Sequence, residues 1–356
     1  MKAQHMETPT EKQDTVQARW DALLQEEPRI RIRDAAERLG LSEAELLVTR
    51  CGESVTRLQG DWRQLIRDLP LLGRVLCLTR NAHAVHERFG AFQPADFFHG
   101  MGQVAGPDID LRLFMNSWCH GFAVNEQTPD GDRQSLQFFD AAGSAIHKIF
   151  LQEQSNYGAY GVILNKFRSP NQRAAIDVQP AAPAAPALPD AEVDVGGFQD
   201  GWRGLNDTHA FHPLLQRFRV TRVQALRLAP EGFASRLKVA SIQAMLEEAS
   251  RSGLSIMVFI GNRGCLQIHT GPVKNIRLFG SEWLNVLDPD FSMHLRIPAL
   301  DSVWAVHKPT QDGMVSSLEA YDDRGDLIVQ FFGQRKPGAP ENETWRSLIT
   351  RREGVQ

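Results

Sequence analysis

Cysteine is scarce: Cys51, Cys77, Cys119 and Cys265 are the only four in 356 residues, and none forms a CxxC pair. That spacing signals neither a disulfide framework nor a structural zinc site. Long apolar runs are also missing. The longest, Leu254 to Ile260, falls far short of the ~20 residues that a bilayer span requires. The opening, MKAQHMETPTEKQD, lacks the apolar centre of a secretory signal. Together these absences predict a cytoplasmic chain with no membrane insertion. Nor is there an excess of one charge: 39 Lys+Arg against 43 Asp+Glu leave −4, which argues against bulk affinity for nucleic acid. No Walker loop, GxGxxG or GxSxG occurs between a strand and a helix. The remaining composition, 42% hydrophobic and 23% charged, suits a chain with two domain-sized cores.

What is present is a repeat. Trp20 and Trp202 are 182 apart, and the same offset joins Pro107-Asp108-Ile109 to Pro289-Asp290-Phe291 and Phe122-Ala123-Val124 to Trp304-Ala305-Val306. It also joins Asp130-Gly131 to Asp312-Gly313, Ser135-Leu136 to Ser317-Leu318 and Gly143 to Gly325, while Asn81 and Asn262 are 181 apart. Such a period is too long for a solenoid. It predicts an α+β fold made by tandem duplication of one unit, each with a large antiparallel β-sheet and packed helices. The N-terminal repeat is residues 1–168 and the C-terminal repeat residues 202–356. A Pro/Ala-rich linker, residues 169–201, separates them; its prolines at 180, 183, 186 and 189 favour extended chain.

Within each copy helices come first. Helices are expected at 15–27 and 34–50, then at 208–227 and 235–252, the last ended by Gly253. Strands are expected at VLCLT, IDLRLF, GFAVNEQ, SLQFFD and AIHKIFL, and again at SIMVFI, CLQIH, FSMHLRI, SVWAVHK, SSLEAYD and LIVQFFG. Turns are expected at both DG pairs and at DDRGD, 322–326.

A duplicated chain carries its own control, because a site used by one copy breaks the match. The clearest break is Asp207-Thr-His-Ala-Phe-His-Pro213. At offset 182 His209 meets Glu27, and His212 meets Ile30. Imidazole is a common ligand of transition metals and haem iron. Three apart on a helix, the two share one face and cannot bind opposite faces of one planar cofactor. They alternate, or one ligates; the plain alternative is two surface or capping histidines. Charge breaks the match as well: Lys308 meets Glu126, Arg335 meets Glu153, and Arg217, Arg219 and Arg222 fall opposite Ala35, Glu37 and Gly40. Cations beside a histidine suit an anionic ligand that carries a metal, and a solvated basic edge is the plain alternative. Residues 35–47 have the look of a helix-turn-helix, but the carboxylates of Glu43 and Glu45 would face phosphates. A helical corner packing its own core is the preferred reading, with DNA binding kept as a lesser one.

RIRDAAERLGLSEAELL, the tandem repeat and DTHxFHPLLQRF together resemble the cytoplasmic haem-utilisation proteins of Gram-negative bacteria, the hemin-degrading factor family. The resemblance covers nearly the whole chain. It implies two similar halves that bind one haem b (iron protoporphyrin IX) in a cleft between them. On the family pattern His209 is the proximal iron ligand and His212 an alternate one. Arg112 and Phe114 would lie on the distal face, Phe259 and Gln330 would line the pocket, and Arg222, Lys308 and Arg335 would hold the propionates. Ala210 departs from the pattern, since a further histidine is expected there.

Two functions follow. One is a carrier that takes haem in the cytoplasm and passes it to a haem oxygenase, as a monomer or dimer. The other is an enzyme that opens the macrocycle itself, for which a proximal His and a distal donor would also serve. No flavin or nicotinamide motif supplies electrons, so the carrier is preferred.

Overall fold

The computed structural model describes residues 9–128, 131–180, 186–335 and 338–353, with side chains from Thr15 onward. The first eight residues, Asp130 of the first DG turn and Pro183 of the expected linker lie outside the described residues. The helices are α1 (Pro9–Glu26), α2 (Ile32–Leu39), α3 (Glu43–Val48), α4 (Trp62–Asp68), α5 (Tyr157–Phe167), α6 (Val195–Arg203), α7 (Phe211–Phe218), α8 (Arg222–Arg227), α9 (Ala240–Ser252) and α10 (Glu343–Glu353). The first nine strands are β1 (Val55–Leu58), β2 (Gly73–Arg80), β3 (Ala84–Ala91), β4 (Ala95–Phe98), β5 (Met101–Ala105), β6 (Asp110–Phe114), β7 (His120–Thr128), β8 (Gly131–Phe139) and β9 (Ala145–Ser155). Their counterparts are β10 (Ala234–Leu237), β11 (Ser255–Gly261), β12 (Cys265–Pro272), β13 (Ile276–Phe279), β14 (Trp283–Leu287), β15 (Phe291–Arg296), β16 (Ser302–Thr310), β17 (Gly313–Tyr321) and β18 (Leu327–Gly333). The α+β class and the large antiparallel sheets are as the sequence predicts.

Two compact units form. The first holds the described residues up to Thr79, residues 89–180 and Asn262–Cys265; the second holds Arg80–Arg88, residues 186–261 and the described residues from Leu266 onward. In the first, antiparallel strands run β1-β7-β8-β9-β2, beside a β4-β5-β6 meander. In the second the order is β10-β16-β17-β18-β11-β12, and β13-β14-β15 pairs with Ala84–Arg88 of β3. All eleven expected strand segments fall on strands. Strands β1, β3 and β10 and the β4–β5 and β13–β14 hairpins lie outside the expected segments.

Each main sheet is covered on both faces. In the second unit Ile256, Val258, Leu318, Ala320 and Phe331 pack against Met245 and Leu246 of α9 and Trp345 and Ile349 of α10. The opposite face carries Trp304, Val306 and Tyr321 beneath Phe198, Trp202, Phe211, Leu215 and Leu226 of α6, α7 and α8. Burial on both faces explains the nearly unbroken apolar strands.

The helices expected at 34–50 and 208–227 are each two helices. The first is cut where Gly40 takes a left-handed backbone, φ 68°, and α3 restarts on the Ser42–Glu45 capping box. The second is cut where Arg219 takes the same conformation, φ 52°, and α8 restarts on the Thr221–Gln224 box. The helix expected from 235 begins at Ala240, because residues 234–237 are strand β10. Helix α6 opens at Val195, within the segment expected to be linker.

The repeat-matched asparagines sit at the two short exchanged segments. Asn81 accepts from the His83 and Ala84 amides and donates to the Ile328 carbonyl at 2.8 Å. Asn262 accepts from the Gly264 and Cys265 amides and donates to the Ile146 carbonyl, also at 2.8 Å. Ile146 and Ile328 are themselves 182 apart. Replacing either asparagine by alanine strands several backbone groups, and each change is expected to lower stability by about 1–3 kcal/mol in urea unfolding.

Two buried imidazoles predict a pH effect. Burial pulls His147 down to about 3 and His269 to about 4 from an ordinary 6.5. Folded, both stay neutral, whereas the unfolded chain takes up their protons below about pH 6.5. Stability is therefore full above that pH and falls on acidification towards the folded values, by about 2 kcal/mol per histidine between pH 7 and 5. Urea midpoints at those two pH values check this, and the His147→Gln variant should lose half of the difference.

Candidate functional site

The chain reaches the histidines through α6. Its Trp202 is fully buried, donates from Nε1 to the His307 carbonyl at 3.0 Å and meets the Phe211 ring at 4.5 Å between centroids. Asp207 then caps a single 3₁₀ turn, Thr208–Ala210, and α7 starts at Phe211. Pro213 falls in the first turn of α7, where its missing N–H costs nothing. His209 therefore stands in the turn before α7 and His212 on its first turn, so the two do not share one helix.

Asp207 orients His209. Its Oδ1 receives the His209 backbone N–H at 2.9 Å and lies 2.8 Å from ring Nδ1. With Nδ1 engaged there, Nε2 is the ring nitrogen left open, the orientation in which a second partner holds many metal-binding histidines. The His209 side chain is 88% exposed. The His209 backbone N–H, then its ring, hold the Asp207 carboxyl below its usual range, and Arg335 adds to the effect. His212 turns back along its helix, with Nε2 3.1 Å from Gln216 Nε2.

Beneath this turn lies a buried ion cluster. Glu319 on β17 is wholly buried, with Lys308 Nζ at 2.8 Å from Oε1 and Arg222 Nε at 3.5 Å from Oε2. Ser317 Oγ donates to Oε1 at 2.8 Å and the Tyr321 hydroxyl donates to Oε2. Burial pushes the Glu319 carboxyl up, but Lys308 and Arg222 outweigh it and hold the group far below its ordinary value. Burial likewise pulls Lys308 down, and Glu319 offsets part of that. Both cations lie against the ring of Phe211, the first residue of α7, at 4.8 Å for Lys308 Nζ and 5.9 Å for Arg222 Cζ.

The same sheet face carries two further expected residues. Glu319 is the direct cross-strand partner of Gln330, and Gln330 of Phe259. Gln330 is buried; Phe259 is half-buried and packs on Phe332 at 4.9 Å. In the second unit Arg222 and Lys308 meet at the Phe211 ring, next to His212, Arg335 acts on the Asp207 that holds His209, and Gln330 and Phe259 continue the sheet face from Glu319. Lys308 is committed to Glu319 rather than held at the surface. Arg112 and Phe114 lie on β6 in the first unit, where Arg112 pairs with Asp110 and also donates to the Leu111 carbonyl at 3.2 Å. Burial raises the Asp110 carboxyl, and Arg112 pulls it part of the way back. The Phe114 amide donates to the Gly264 carbonyl at 2.9 Å.

The structure corrects the register of the helical segment. Gly40 and Arg219, and the capping residues Ser42 and Thr221, are 179 apart, not 182. The path from Trp202 to α7 is three residues shorter than that from Trp20 to α2. His209 therefore stands opposite Ile30 rather than Glu27, and His212 opposite Arg33 rather than Ile30. Arg217, Arg219 and Arg222 stand opposite Arg38, Gly40 and Glu43, so the excess of arginine that the sequence suggested shrinks. Glu43 is itself buried and paired with Lys148 of β9. Each unit therefore keeps a buried pair between its second capped helix and its sheet, with the signs reversed. In the corner read as a helix-turn-helix, α3 buries Glu43, Ala44, Leu46, Leu47 and Val48, leaving it no free face for a groove.

Sequence reasoning missed Asp207, Glu319, Tyr321 and Phe211. The Asp-x-His spacing could have exposed the first. A glutamate between Leu318 and Ala320 gives no such signal, because alternation reads it as solvent-facing.

The domain described as Haemin-degrading HemS.ChuX matches twice, at residues 40–167 and 219–351. The hemin transport protein HmuS of Yersinia pestis is 38% identical over 330 residues, 92% of this chain and 94% of that protein. The heme-binding protein PhuS of Pseudomonas aeruginosa, solved with heme, has a TM-score of 0.91 at 45% identity, covering 95% of this chain and 98% of that one. ChuS, described as an Escherichia coli heme oxygenase, has a TM-score of 0.87 at 33% identity, covering 95% and 99%. Fold, duplication and these likenesses place the chain among haem-utilisation proteins. The chain belongs to the HemS/ChuX haemin-degrading family.

The ion cluster yields its own expectation. Removing one partner of a buried pair costs far more than removing an exposed one. Lys308→Ala should destabilise the protein by about 3–5 kcal/mol, whereas Arg203→Ala, which breaks the exposed pair with Asp200, should cost under about 1 kcal/mol. Thermal and urea unfolding of the two variants decide it.

Proposed function

We propose that this protein is a cytoplasmic haem carrier that ligates the iron of haem b through His209 Nε2 and hands the haem to a haem oxygenase. The observation that carries the reading is the His209 imidazole, held at Nδ1 by Asp207 and otherwise open to solvent. That donor suits an iron porphyrin, because it is a pre-oriented ring nitrogen, and the sheet of the same unit carries a half-buried aromatic pair, Phe259 and Phe332. When bound, haem supplies the iron that accepts the imidazole lone pair. The chain fixes the ring tautomer through Asp207, and its cations give a positive environment for the propionates, with Arg335 and Arg222 more accessible than Lys308. A single imidazole on an exposed turn suits a ligand meant to be passed on. Arg112, whose guanidinium offers donors and no acceptor, is proposed as a hydrogen-bond donor towards the bound haem. His212 is proposed as the alternate ligand.

The test is a haem titration followed at the Soret band, then addition of reductant and catalase. His209→Ala should raise Kd at least tenfold or move ligation to His212. Asp207→Asn should weaken binding about 10–100-fold, the usual effect of losing a partner that orients a metal ligand. A change at His86 should do little, and an equal loss there removes the assignment. A spectrum that persists under reductant until a haem oxygenase is added supports the carrier. Ring opening with iron release under catalase supports an enzyme instead, the activity described for ChuS.

A further inference from the structure

We propose that Glu319 is a positioning residue for the His209 imidazole, acting through Lys308, Arg222 and Phe211. The proposal rests on the reading of His209 as the iron ligand and names the device that holds it in place. The links form an unbroken chain. Glu319 is wholly buried in β17 and anchored by Ser317 and Tyr321 on its own strand. It draws in Lys308 from β16 and Arg222 from the start of α8. Both cations lie against the Phe211 ring, which Trp202 backs from α6. Phe211 is two residues from His209 and next to His212. The turn bearing His209 has few other restraints: none of its three residues is buried, and the imidazole is tied to Asp207 alone among the described residues.

The first unit isolates this role. There Glu43, opposite Arg222, pairs with Lys148, while Gln137 occupies the place of Glu319 and Ile30 that of His209. A buried ion pair between helix and sheet is thus common to both units, and only one of them supports an imidazole. A residue with a purely structural role behaves like Glu43, whereas a positioning residue also moves the ligand.

The experiment compares Glu319→Gln with Glu43→Gln. In the haem-free protein, hydrogen exchange of amides 208–215 should quicken at least tenfold in Glu319→Gln and remain at the wild-type rate in Glu43→Gln. With ferric haem, Glu319→Gln should release haem about tenfold faster and shift the Soret band towards that of His209→Ala, while Glu43→Gln keeps the wild-type spectrum. If Glu319→Gln does not fold, Tyr321→Phe removes one hydrogen bond from the same carboxylate and should move both readouts in the same direction by a smaller factor. Wild-type exchange and spectrum in Glu319→Gln, or equal changes in Glu43→Gln, overturn the proposal. If His209→Ala itself leaves affinity and spectrum unchanged, the ligand assignment falls and this role with it. The exchange comparison would still show separately whether Glu319 steadies the turn.

Discussion

A carboxylate with no access to water, lying between two cations, is the constraint on which the second unit depends. Charge removed from water must be matched on the spot, and Glu319 is matched by Lys308, Arg222, Tyr321 and Ser317. Two cations share one carboxylate, so the cluster keeps a net positive charge beneath the turn that bears His209. Such a group cannot drift, because any displacement leaves a buried charge uncompensated. The rigidity is passed upward through an aromatic ring rather than a hydrogen bond. That route suits an exposed loop, which has little else to hold it.

The exposure of His209 then becomes intelligible. An imidazole buried among apolar side chains would be neutral, well fixed and hard to reach, as His147 and His269 are. One on an exposed turn is easy to reach but poorly fixed, unless its neighbours supply order from below and from the side. Asp207 supplies the side support and Phe211 the floor. On the proposed reading, the combination lets a large planar ligand approach and leave an imidazole whose orientation is already held.

Much of the fold was legible because both faces of the main sheets are covered. Burial on two faces writes itself into the chain as apolar runs such as SVWAVHK and LIVQFFG. Short edge strands and hairpins left no such mark. The split at Arg219 left no mark because a non-glycine residue makes the left-handed stop there, whereas the split at Gly40 carried a glycine and was read through. The register slipped for a related reason: the strands from β2 and β11 onward keep a spacing of 181 or 182, while a loop shortened by three residues resets the capped helices, and β1 and β10 after them, to 179. At the site, His209 stood out as a break in the repeat and as a family mark. Glu319 did not, since a lone acid in a strand normally faces water and only the tertiary arrangement shows that this one does not.

The corrected register sharpens what duplication reveals. Features kept by both copies in the same geometry serve the fold: the two capping boxes, the two exchanged asparagines, and Asp140 and Asp322 each closing a turn onto backbone amides at i+2 and i+4. The buried ion pair is kept in kind but reversed in sign, and its sheet partner sits at a different place, Lys148 of β9 in one unit and Glu319 of β17 in the other. In the first unit the helix contributes the acid and the sheet the base. In the second, the helix contributes Arg222 and the sheet both Lys308 and Glu319, so positive charge collects at the foot of α7 and α8. The reversal gives one unit a positive floor under an imidazole and leaves the other, with Ile30 at the matching position, without either.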